Sequence, residues 1–580
     1  MRACAVLILA CALAACQKPQ PTETQGRVSI APDDRPNFVL IVADDLGYSD
    51  LGVFGSEIAT PHIDSLAQNG VVLTNFYTAP LCAPTRAELM SGTDHHRAGE
   101  GLMQVNIPDL QGYEGHLNGR VLTIAERLRD AGYGTYMAGK WHLGTSEEQT
   151  PFARGFEKTF ALLEGGASHY DDQVGAVSGT VAKYSENGRP VESLPEGFYS
   201  TDHYTDKMLE YLQSREDQSE PFFAYLSYTA PHWPIQAPDD DVARQRGKYA
   251  EGYDIIRNRR FERWKTTEFA TASAEPPELS QGHIDWQSLT DEERLSSART
   301  MEIYAAMVER MDMQIGRLLE YLEATGQDDN TLIIFMSDNG PEASTTRPGF
   351  RNNVDNRFEN LGRPGSFAFV GPGWAEAGSA QYYLTKSYAA EGGIRVPAIV
   401  GGGLVSTASR SEAALILGFD VAPTLLELAG IESASNMDRS DILPITGLSF
   451  AGLLQDDGQY SARGMNNPVG REHGGHAAIR MGDWKLLWVG NQGIHLGELP
   501  LQPGPHPMSG VPMSRERFDR GKPAGAPIGS GGPWKLHNIK DDPAERRDLS
   551  KEHPEIVEKL LADWDKYVGE FGVLVKSGEN

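Results

Sequence analysis

Four short apolar runs separated by helical patterns constrain the fold of this chain more than any other feature of its sequence. Each run has the length of one strand buried on both faces, and the runs are residues 38–42, 135–138, 222–226 and 332–336. Before the last run, apolar residues from Ile303 to Leu322 recur at spacings of three and four, as in an amphipathic helix. Strands that alternate with helices predict an α/β fold whose large, mostly parallel sheet is flanked by helices.

The size and charge of the chain exclude several other classes of protein. Its 580 residues exceed what one hydrophobic core usually holds, so we expect one large domain and at least one smaller domain. Hydrophobic residues make up 40% and charged residues 23%, which argues against a disordered or polytopic membrane protein. The formal net charge of −28 argues against nucleic-acid binding, because phosphate contacts require clustered Lys and Arg.

Changes in composition along the chain suggest its domain boundaries. Residues 37–455 hold the alternating strands and helices and form the predicted α/β domain. Within it, residues 233–300 are polar and mixed in charge, and we interpret them as an insertion: a lid or specificity loop, or a solvated helical excursion. Residues 456–580 contain Gly, Pro and short strand-like runs before a final helical pattern. They predict a smaller α+β domain made of a short antiparallel sheet and a helix.

The amino terminus resembles the leader of a bacterial lipoprotein. Residues 3–15 are apolar, too short to span a bilayer as a helix, and typical of a signal peptide. Residues 13–16 resemble the lipoprotein box, so we predict a signal peptide over residues 1–15, a lipid on Cys16 and a tether over residues 16–36. The alternative is a plain secretory signal with a coincidental cysteine. The anchor would attach the protein to a membrane of the bacterial cell envelope, as a periplasmic or outer-membrane lipoprotein.

Polar side chains follow two of the predicted strands directly. Asp44 and Asp45 come after the first strand, and Asp338 and Asn339 come after the last one. Ligands of open α/β sheets bind beyond the carboxyl ends of the strands, where these oxygen donors would converge. Hard oxygen ligands suit Ca²⁺ or Mg²⁺ better than zinc. A turn or a helix cap is the alternative interpretation of each pair taken alone.

Cys82 is the one cysteine outside the first sixteen residues, so an intramolecular disulfide framework cannot form. An unpaired thiol is a liability in an oxidising compartment, and its retention requires a reason. Cys82 is therefore a candidate nucleophile or a candidate modification site. The alternative is a buried small apolar side chain.

Cations and histidines near the strand ends form a second group of candidates. Lys140 and His142 would point to the same side of a strand, and together with Arg86 and Lys386 they could hold a tetrahedral oxyanion. His232 stands between two prolines, which suits a positioned general acid. The alternatives are solvated lysines at the surface and histidines that are hydrogen-bonded in the core.

Residues 82–86, Cys-Ala-Pro-Thr-Arg, and the following residues 87–93 are similar to the signature of type I sulfatases. The resemblance extends from about Asn37 to the end of the chain and is closest to bacterial arylsulfatases of the alkaline phosphatase superfamily. Its further blocks are residues 44–48, 139–144 and 337–340, Lys386 with residues 391–393, and residues 541–549.

The resemblance implies a cofactor and a modified residue. In such sulfatases a maturation enzyme, the formylglycine-generating enzyme, oxidises the signature cysteine to formylglycine (3-oxoalanine), whose hydrate is the nucleophile. By this resemblance Cys82 is that residue, and it would also face the metal. The metal site of the family maps onto Asp44, Asp45, Asp338 and Asn339, with Ca²⁺ expected ahead of Mg²⁺.

The resemblance also implies a division of labour among the remaining site residues. Arg86, Lys140 and Lys386 would neutralise the oxygens of the sulfuryl group. His232 would protonate the departing alcohol or phenol, and His142 would accept a proton in the step that releases sulfate. The expected reaction is hydrolysis of a small sulfate ester.

The sequence leaves the substrate and two rival functions open. Tyr48, Trp141 and Trp233 could stack on an aryl group or pack in the core. A phosphonate or phosphodiester hydrolase of the same superfamily would use a similar site. A non-catalytic surface lipoprotein that binds sulfated ligands would result if Cys82 remained a thiol.

Overall fold

The computed structural model describes residues 35–574, except residues 272, 281, 346–353, 406–409, 433–439, 456–462, 465 and 490–533. The predicted signal peptide, the Cys16 anchor and the proposed domain boundary at residue 456 therefore lie outside the described residues. None of the helices among the described residues combines the length and the apolar character needed to cross a membrane.

The strands of the described residues belong to three sheets. In chain order they are β1 (Asn37–Ala43), β2 (Val71–Leu73), β3 (Phe76–Tyr77), β4 (Gly134–Lys140), β5 (Lys158–Leu162), β6 (Tyr184–Glu186), β7 (Arg189–Val191), β8 (Phe222–Ser227), β9 (Thr331–Ser337), β10 (Ala398–Gly401), β11 (Arg410–Glu412), β12 (Ile416–Leu417), β13 (Val469–His473), β14 (His476–Met481), β15 (Trp484–Trp488) and β16 (Lys535–Asn538).

The α-helices of the same residues alternate with these strands over most of the chain. They are α1 (Pro61–Gln68), α2 (Cys82–Ser91), α3 (His95–Ala98), α4 (Ile124–Asp130), α5 (Ser200–Gln213), α6 (Asp239–Gln245), α7 (Tyr253–Trp264), α8 (Asp291–Ala324), α9 (Pro372–Gly378), α10 (Glu391–Ile394), α11 (Val421–Leu428), α12 (Ala451–Gln455) and α13 (Pro554–Phe571).

The large sheet confirms the predicted α/β fold. Its ten described strands have the spatial order β11-β2-β10-β9-β1-β8-β4-β5-β6-β7. The strands β9, β1, β8, β4 and β5 are parallel neighbours, and β10, β6 and β7 add antiparallel pairs towards the edges. The four apolar runs recognised in the sequence are β1, β4, β8 and β9, which lie side by side at the centre of the sheet.

Helices cover both faces of the large sheet, as the strand pattern predicts. Alternate residues of β1 enter two separate apolar cores, with Ile41 in one core and Leu40 in the other. The first core includes Met307 and Ile315 of α8, and the second includes Leu425 of α11. Side chains of a strand alternate between its faces, so a strand without polar positions must be covered on both sides.

The carboxy-terminal part confirms the predicted small α+β unit. The strands β13, β14, β15 and β16 form an antiparallel sheet in that order. Helix α13 lays Leu560, Trp564 and Tyr567 against this sheet, next to Ile479 and Leu486. The apolar residues of α13 recur at spacings of three and four, which explains why one face of the helix is buried.

The described residues of the segment 233–300 include helices and pack against the rest of the protein. It contains α6, α7 and the start of α8, and Ile256 and Trp264 of α7 are buried. Arg260 of α7 is buried in ion pairs with Asp50 and Glu57. The segment is thus anchored to the α/β domain, and a role in specificity remains a prediction.

Candidate active site

The two acidic pairs meet because β1 and β9 are adjacent parallel strands. The backbone N–H of Asp338 donates to the carbonyl of Ala43 at 3.1 Å, which extends the pairing one residue beyond the strands. Asn339 Nδ2 donates to Asp45 Oδ1 at 2.7 Å, and the N–H of Asp45 donates to Asp338 Oδ1 at 3.3 Å. The side chains of Asp44, Asp45, Asp338 and Asn339 therefore surround one buried position.

Cys82 is the first residue of α2, and it lies beside this position. Its Sγ is 3.4 Å from Asp44 Oδ1 and 3.8 Å from Asp45 Oδ1, and the residue is only 1% exposed. Burial, together with the charge of Asp338, raises the pKa of the Cys82 thiol well above its usual range. A thiol that remains protonated is a poor nucleophile. The unmodified cysteine is thus badly suited to direct attack.

Two buried cations pair with carboxylates of this site. Arg86 follows Cys82 by one turn of α2, and its Nε and Nη2 donate to Asp338 Oδ2 at 3.0 and 2.7 Å. Lys140, at the end of β4, donates from Nζ to Asp44 Oδ2 at 2.7 Å. Both side chains are fully buried. Buried cations of this kind can hold the oxygens of an anionic substrate.

The third cation, Lys386, comes from a distant segment. Its Nζ lies 2.7 and 2.8 Å from the two carboxylate oxygens of Asp45 and 3.4 Å from Glu342 Oε2. Burial raises the pKa of Asp45 to about 7, although Lys386 lowers it, and the neighbouring Asp44 raises it further. The pKa of Asp44 is lowered, because Lys140 and other cations outweigh the effect of burial. A divalent cation would relieve the repulsion between these carboxylates.

His232 faces the carboxylates from the segment after β8. Its Nδ1 lies 2.6 Å from the carbonyl oxygen of Trp233, so the ring carries its proton on Nδ1 and turns Nε2 inward. Nε2 is 3.6 Å from Asp45 Oδ2. Burial, together with Lys140, lowers the pKa of His232 well below its usual range. A sulfate anion bound beside the ring would raise this pKa and favour the imidazolium form.

His142 lies two residues beyond the end of β4. It is buried, and neither ring nitrogen has a hydrogen-bond partner among the described residues. Burial, together with Lys140 and Arg86, lowers the pKa of His142 well below its usual range. A neutral imidazole with a free ring nitrogen is able to accept a proton.

Two adjacent glycines make room for these histidines. A Cβ atom on Gly165 would lie 2.5 Å from His142 Nε2, and one on Gly166 would lie 2.9 Å from His232 Cε1. Both distances are shorter than ordinary van der Waals contact. Each ring can therefore lie against the backbone of its glycine only because that position lacks a side chain. The sequence analysis missed both residues, although a Gly-Gly pair after a strand is a recognisable sign of close backbone approach.

The structure brings all ten predicted site residues to the same edge of the parallel sheet: Asp44, Asp45, Cys82, Arg86, Lys140, His142, His232, Asp338, Asn339 and Lys386. The prediction that Lys140 and His142 point to the same side of a strand was wrong. Strand β4 ends at Lys140, and His142 has a left-handed φ of 61°, so strand alternation does not orient its side chain. Ser227, which accepts a hydrogen bond from Arg86, and Glu342 were also missed.

A second buried cluster of potential ligands has a different character. Asp94, His95 and His96 place their ligand atoms close together. The guanidinium of Arg471 lies 3.3 Å from Glu88 Oε1 and 3.9 Å from Asp94 Oδ2. His95 Nδ1 lies 2.9 Å from Glu88 Oε1, and His96 Nδ1 lies 2.9 Å from Asp94 Oδ1. Because Arg471 already supplies positive charge there, this cluster is a buried ion-pair network rather than a second metal site.

Comparison with known proteins agrees with the geometry of the site. The family model described as Sulfatase matches residues 36–431. An arylsulfatase of Klebsiella aerogenes is 39% identical over 438 residues, which cover 74% of this chain and 94% of the relative. An uncharacterized sulfatase of Schizosaccharomyces pombe is 38% identical over 573 residues, covering 94% of this chain and 95% of the relative.

Solved structures show the same fold. The structure of Ps i-CgsB in complex with k-i-k-neocarrahexaose aligns with a TM-score of 0.62 and 25% identity, covering 92% of each chain. The family model matches more than half of the chain, and both relatives exceed 30% identity over most of their own length. The chain therefore belongs to the sulfatase family, among the type I sulfatases of the alkaline phosphatase superfamily, and it is a sulfuric ester hydrolase.

Proposed function

We propose that the enzyme hydrolyses aryl sulfate esters to a phenol and inorganic sulfate, with residue 82 present as formylglycine and with Ca²⁺ as its metal. The observation that carries the proposal is the position of Cys82. Its side chain contacts carboxylates that are themselves paired with buried cations, where an anionic sulfuryl group would be held.

The surroundings of Cys82 fit its conversion to formylglycine. Burial and the charges of Asp338 and Asp44 raise the pKa of Cys82 and disfavour a thiolate at this position, whereas a neutral hydroxyl is compatible with them. As a hydrated aldehyde, residue 82 would supply one hydroxyl group for attack on sulfur and a second one through which sulfate is released.

The oxygen donors around Cys82 fit Ca²⁺. The set consists of carboxylate and amide oxygens, and it contains no cysteine thiolate and no histidine. Its members are Asp44, Asp45, Asp338 and Asn339. Oδ1 of Asn339 is buried and has no hydrogen-bond partner among the described residues, as expected for a ligand atom. Ca²⁺ tolerates irregular arrangements of several oxygens better than Mg²⁺ does. The ion would supply positive charge next to the attacked sulfuryl group.

Three cations of the chain would stabilise the transferring sulfuryl group. Arg86, Lys140 and Lys386 are fixed by Asp338, Asp44 and Asp45, so their positive ends need little reorganisation when the substrate binds. Preorganised charge in a buried site stabilises a transition state more strongly than mobile charge in water. The same arrangement neutralises the negative charge of the bound sulfate.

The two histidines would move the protons of the reaction. His232 directs Nε2 into the site and would donate a proton to the departing oxygen once the bound anion has raised its pKa. His142 is neutral and its nitrogens have no hydrogen-bond partner within the part of the chain that the structure describes, so it would accept a proton in the step that releases sulfate. Asp338, whose charge acts on the side chain of residue 82, would accept a proton from the attacking hydroxyl.

Aromatic side chains beside His232 support an aryl leaving group. The ring of Trp233 lies 4.5 Å from that of His232, and the ring of Phe369 lies 4.9 Å from Trp233. Tyr48 and Trp141, the other aromatic candidates, are buried in the core. The Klebsiella aerogenes relative is named an arylsulfatase, which agrees with this choice of substrate class.

The proposal is tested by expressing the chain with and without a formylglycine-generating enzyme. Mass spectrometry of the peptide that contains residue 82 should show the aldehyde only after coexpression. Hydrolysis of p-nitrophenyl sulfate should accompany this modification and be absent from Cys82→Ala. Turnover by the unmodified thiol, or by Cys82→Ala, would overturn the proposal, and so would a strong preference for bis(p-nitrophenyl) phosphate.

The cellular location is a separate proposal that rests on residues 1–36 alone. We propose that the mature protein is a lipoprotein of the bacterial cell envelope, held at the membrane through Cys16. In a bacterial host, Cys16→Ser should move the protein from the membrane fraction to the soluble fraction. Unchanged membrane association of this variant would contradict the anchor.

A further inference from the structure

Lys386 reaches the site from a loop with an unusual backbone. Leu384 and Ser387, on either side of Lys386, have left-handed φ values of 61° and 79°. The N–H of Lys386 donates to the carbonyl of Pro341 at 3.1 Å, and the N–H of Ser387 donates to the carbonyl of Pro80 at 2.9 Å. The loop is thus tied to the segments that carry Asn339 and Cys82. Non-glycine residues in this region of φ are strained, so the surrounding structure must hold them in place.

The small carboxy-terminal sheet supplies part of that support. Ala478 of β14 and Leu487 of β15 pack against the loop and form one apolar cluster with it. The cluster contains buried residues from both sides of Lys386, namely Leu384, Tyr388, Ala389 and Ala390. The apolar side chains of the Lys386 loop therefore pack against the carboxy-terminal sheet.

A buried ionic network joins the end of this loop to the same sheet. Nζ of Lys485, on β15, lies 2.8 Å from Glu391 Oε1 and 2.8 Å from Glu545 Oε1. The backbone N–H of Glu391 donates to Glu545 Oε2 at 2.8 Å. Glu391 begins α10, five residues after Lys386, and its carboxylate also accepts a hydrogen bond from the hydroxyl of Tyr77. The side chains of Lys485, Glu391 and Glu545 are fully buried.

This network is an expensive way to hold two units together if only stability is required. Removing charged groups from water costs free energy, and an apolar replacement of similar shape often stabilises a protein as well or better. What the ionic network adds is direction, because each hydrogen bond fixes both an angle and a distance. It defines the position of Glu391 and so restrains the adjoining loop.

We propose that the carboxy-terminal sheet positions Lys386 for catalysis, with Lys485 and Glu545 as positioning residues that act through Glu391. The proposal rests on the catalytic role of Lys386 given under Proposed function. The small unit would then contribute to catalysis through the position of Lys386. In the contacts described, Lys485, Glu545 and Glu391 do not touch Cys82 or the carboxylates around it.

A double-mutant cycle with the matured, full-length enzyme tests this coupling. The proteins are the wild type, Glu545→Gln, Lys386→Ala and the double variant, and the quantity measured is kcat/KM for p-nitrophenyl sulfate. Glu545→Gln should lower kcat/KM by about tenfold or more, since a displacement of roughly 1 Å in a site can cost on the order of 100-fold. In the Lys386→Ala background the same substitution should have almost no further effect.

Tyr567→Phe is the matched control, because it removes a hydrogen-bonding hydroxyl from another part of the same interface. The Tyr567 hydroxyl donates to Asp94 Oδ2 at 2.9 Å, and this contact does not involve the Lys386 loop. Its effect on kcat/KM should be small and equal in both backgrounds. Lys485→Arg, which keeps the charge, provides a second variant of the positioning network and should show the same dependence on Lys386.

Two results would overturn the proposal, and they are distinguishable. If Glu545→Gln and Lys485→Arg fold but leave kcat/KM unchanged, or lower it equally in both backgrounds, the carboxy-terminal sheet does not position Lys386. If Lys386→Ala itself retains wild-type kcat/KM, the catalytic role of Lys386 is wrong and the coupling has no basis.

Discussion

Substitution of Gly165 by alanine should damage turnover while leaving the fold intact. The new Cβ would lie 2.5 Å from His142 Nε2, and ordinary contact begins at 3.4 Å, so the ring must retreat by about 0.9 Å. The φ of Gly165 is not in the left-handed region, so alanine meets no strain of that kind at this position. The clash is relieved by rotation of the imidazole, whose nitrogens have no partner among the described residues to lose.

The expected loss follows from this displacement. A misplacement of about 1 Å can cost on the order of 100-fold in rate, which corresponds to roughly 2.7 kcal/mol of transition-state stabilisation. Because His142 is proposed to act in the release of sulfate, Gly165→Ala should keep a rapid first turnover and then slow down. Stopped-flow detection of p-nitrophenol should show a burst of about one equivalent.

Two other glycine variants complete this experiment. Gly166→Ala moves the ring of His232 instead, from a contact of 2.9 Å, and should slow the first turnover itself. Gly119→Ala is the control, because a Cβ at that position meets no atom within 4 Å. If Gly165→Ala turns over as fast as Gly119→Ala, or if both histidine-side variants slow the same phase, the assigned proton transfers are wrong.

Two further predictions concern the metal and the buried ion-pair network around His96. Dialysis against EGTA should abolish turnover and lower the melting temperature, and Ca²⁺ should restore both better than Mg²⁺. Full activity in protein that elemental analysis shows to be free of metal would contradict this prediction. Hydrogen bonds to Asp94 and Glu472 outweigh burial and raise the pKa of His96 to about 9, so its stabilisation should be complete below pH about 6.5 and be lost as the pH rises through 9. Urea unfolding of the wild type and His96→Gln should differ by about 3 kcal/mol more at pH 6 than at pH 10, and an equal difference at both values would refute the assignment.

The central sheet could be predicted because each of its strands has a local sequence pattern that identifies it. Each apolar run is too uniform for a half-exposed strand, and each ends in polar residues such as Asp44 or Asp338. Two parallel neighbours then bring those residues together without any knowledge of the loops. The outer strands, such as β6 and β11, are short and only partly buried, and no comparable pattern marks them in the sequence.

The roles of the site residues depended more on the family resemblance than on local patterns. Lys386 has no periodicity that would direct it towards Asp45, 341 residues earlier in the chain. The orientation of His142 depends on a left-handed backbone angle, which the strand pattern hides. The contact between Lys485 and Glu391 depends on how the small sheet docks, and pairwise charge complementarity in the sequence does not specify that arrangement.

The burial of α2 has a consequence for the order of events in the life of the protein. All ten residues of this helix are buried, and residue 82 begins it. If residue 82 is converted to formylglycine as proposed, the maturation enzyme must reach the thiol before this helix docks onto the sheet. The yield of active enzyme would then depend on the rate of modification relative to the rate of folding.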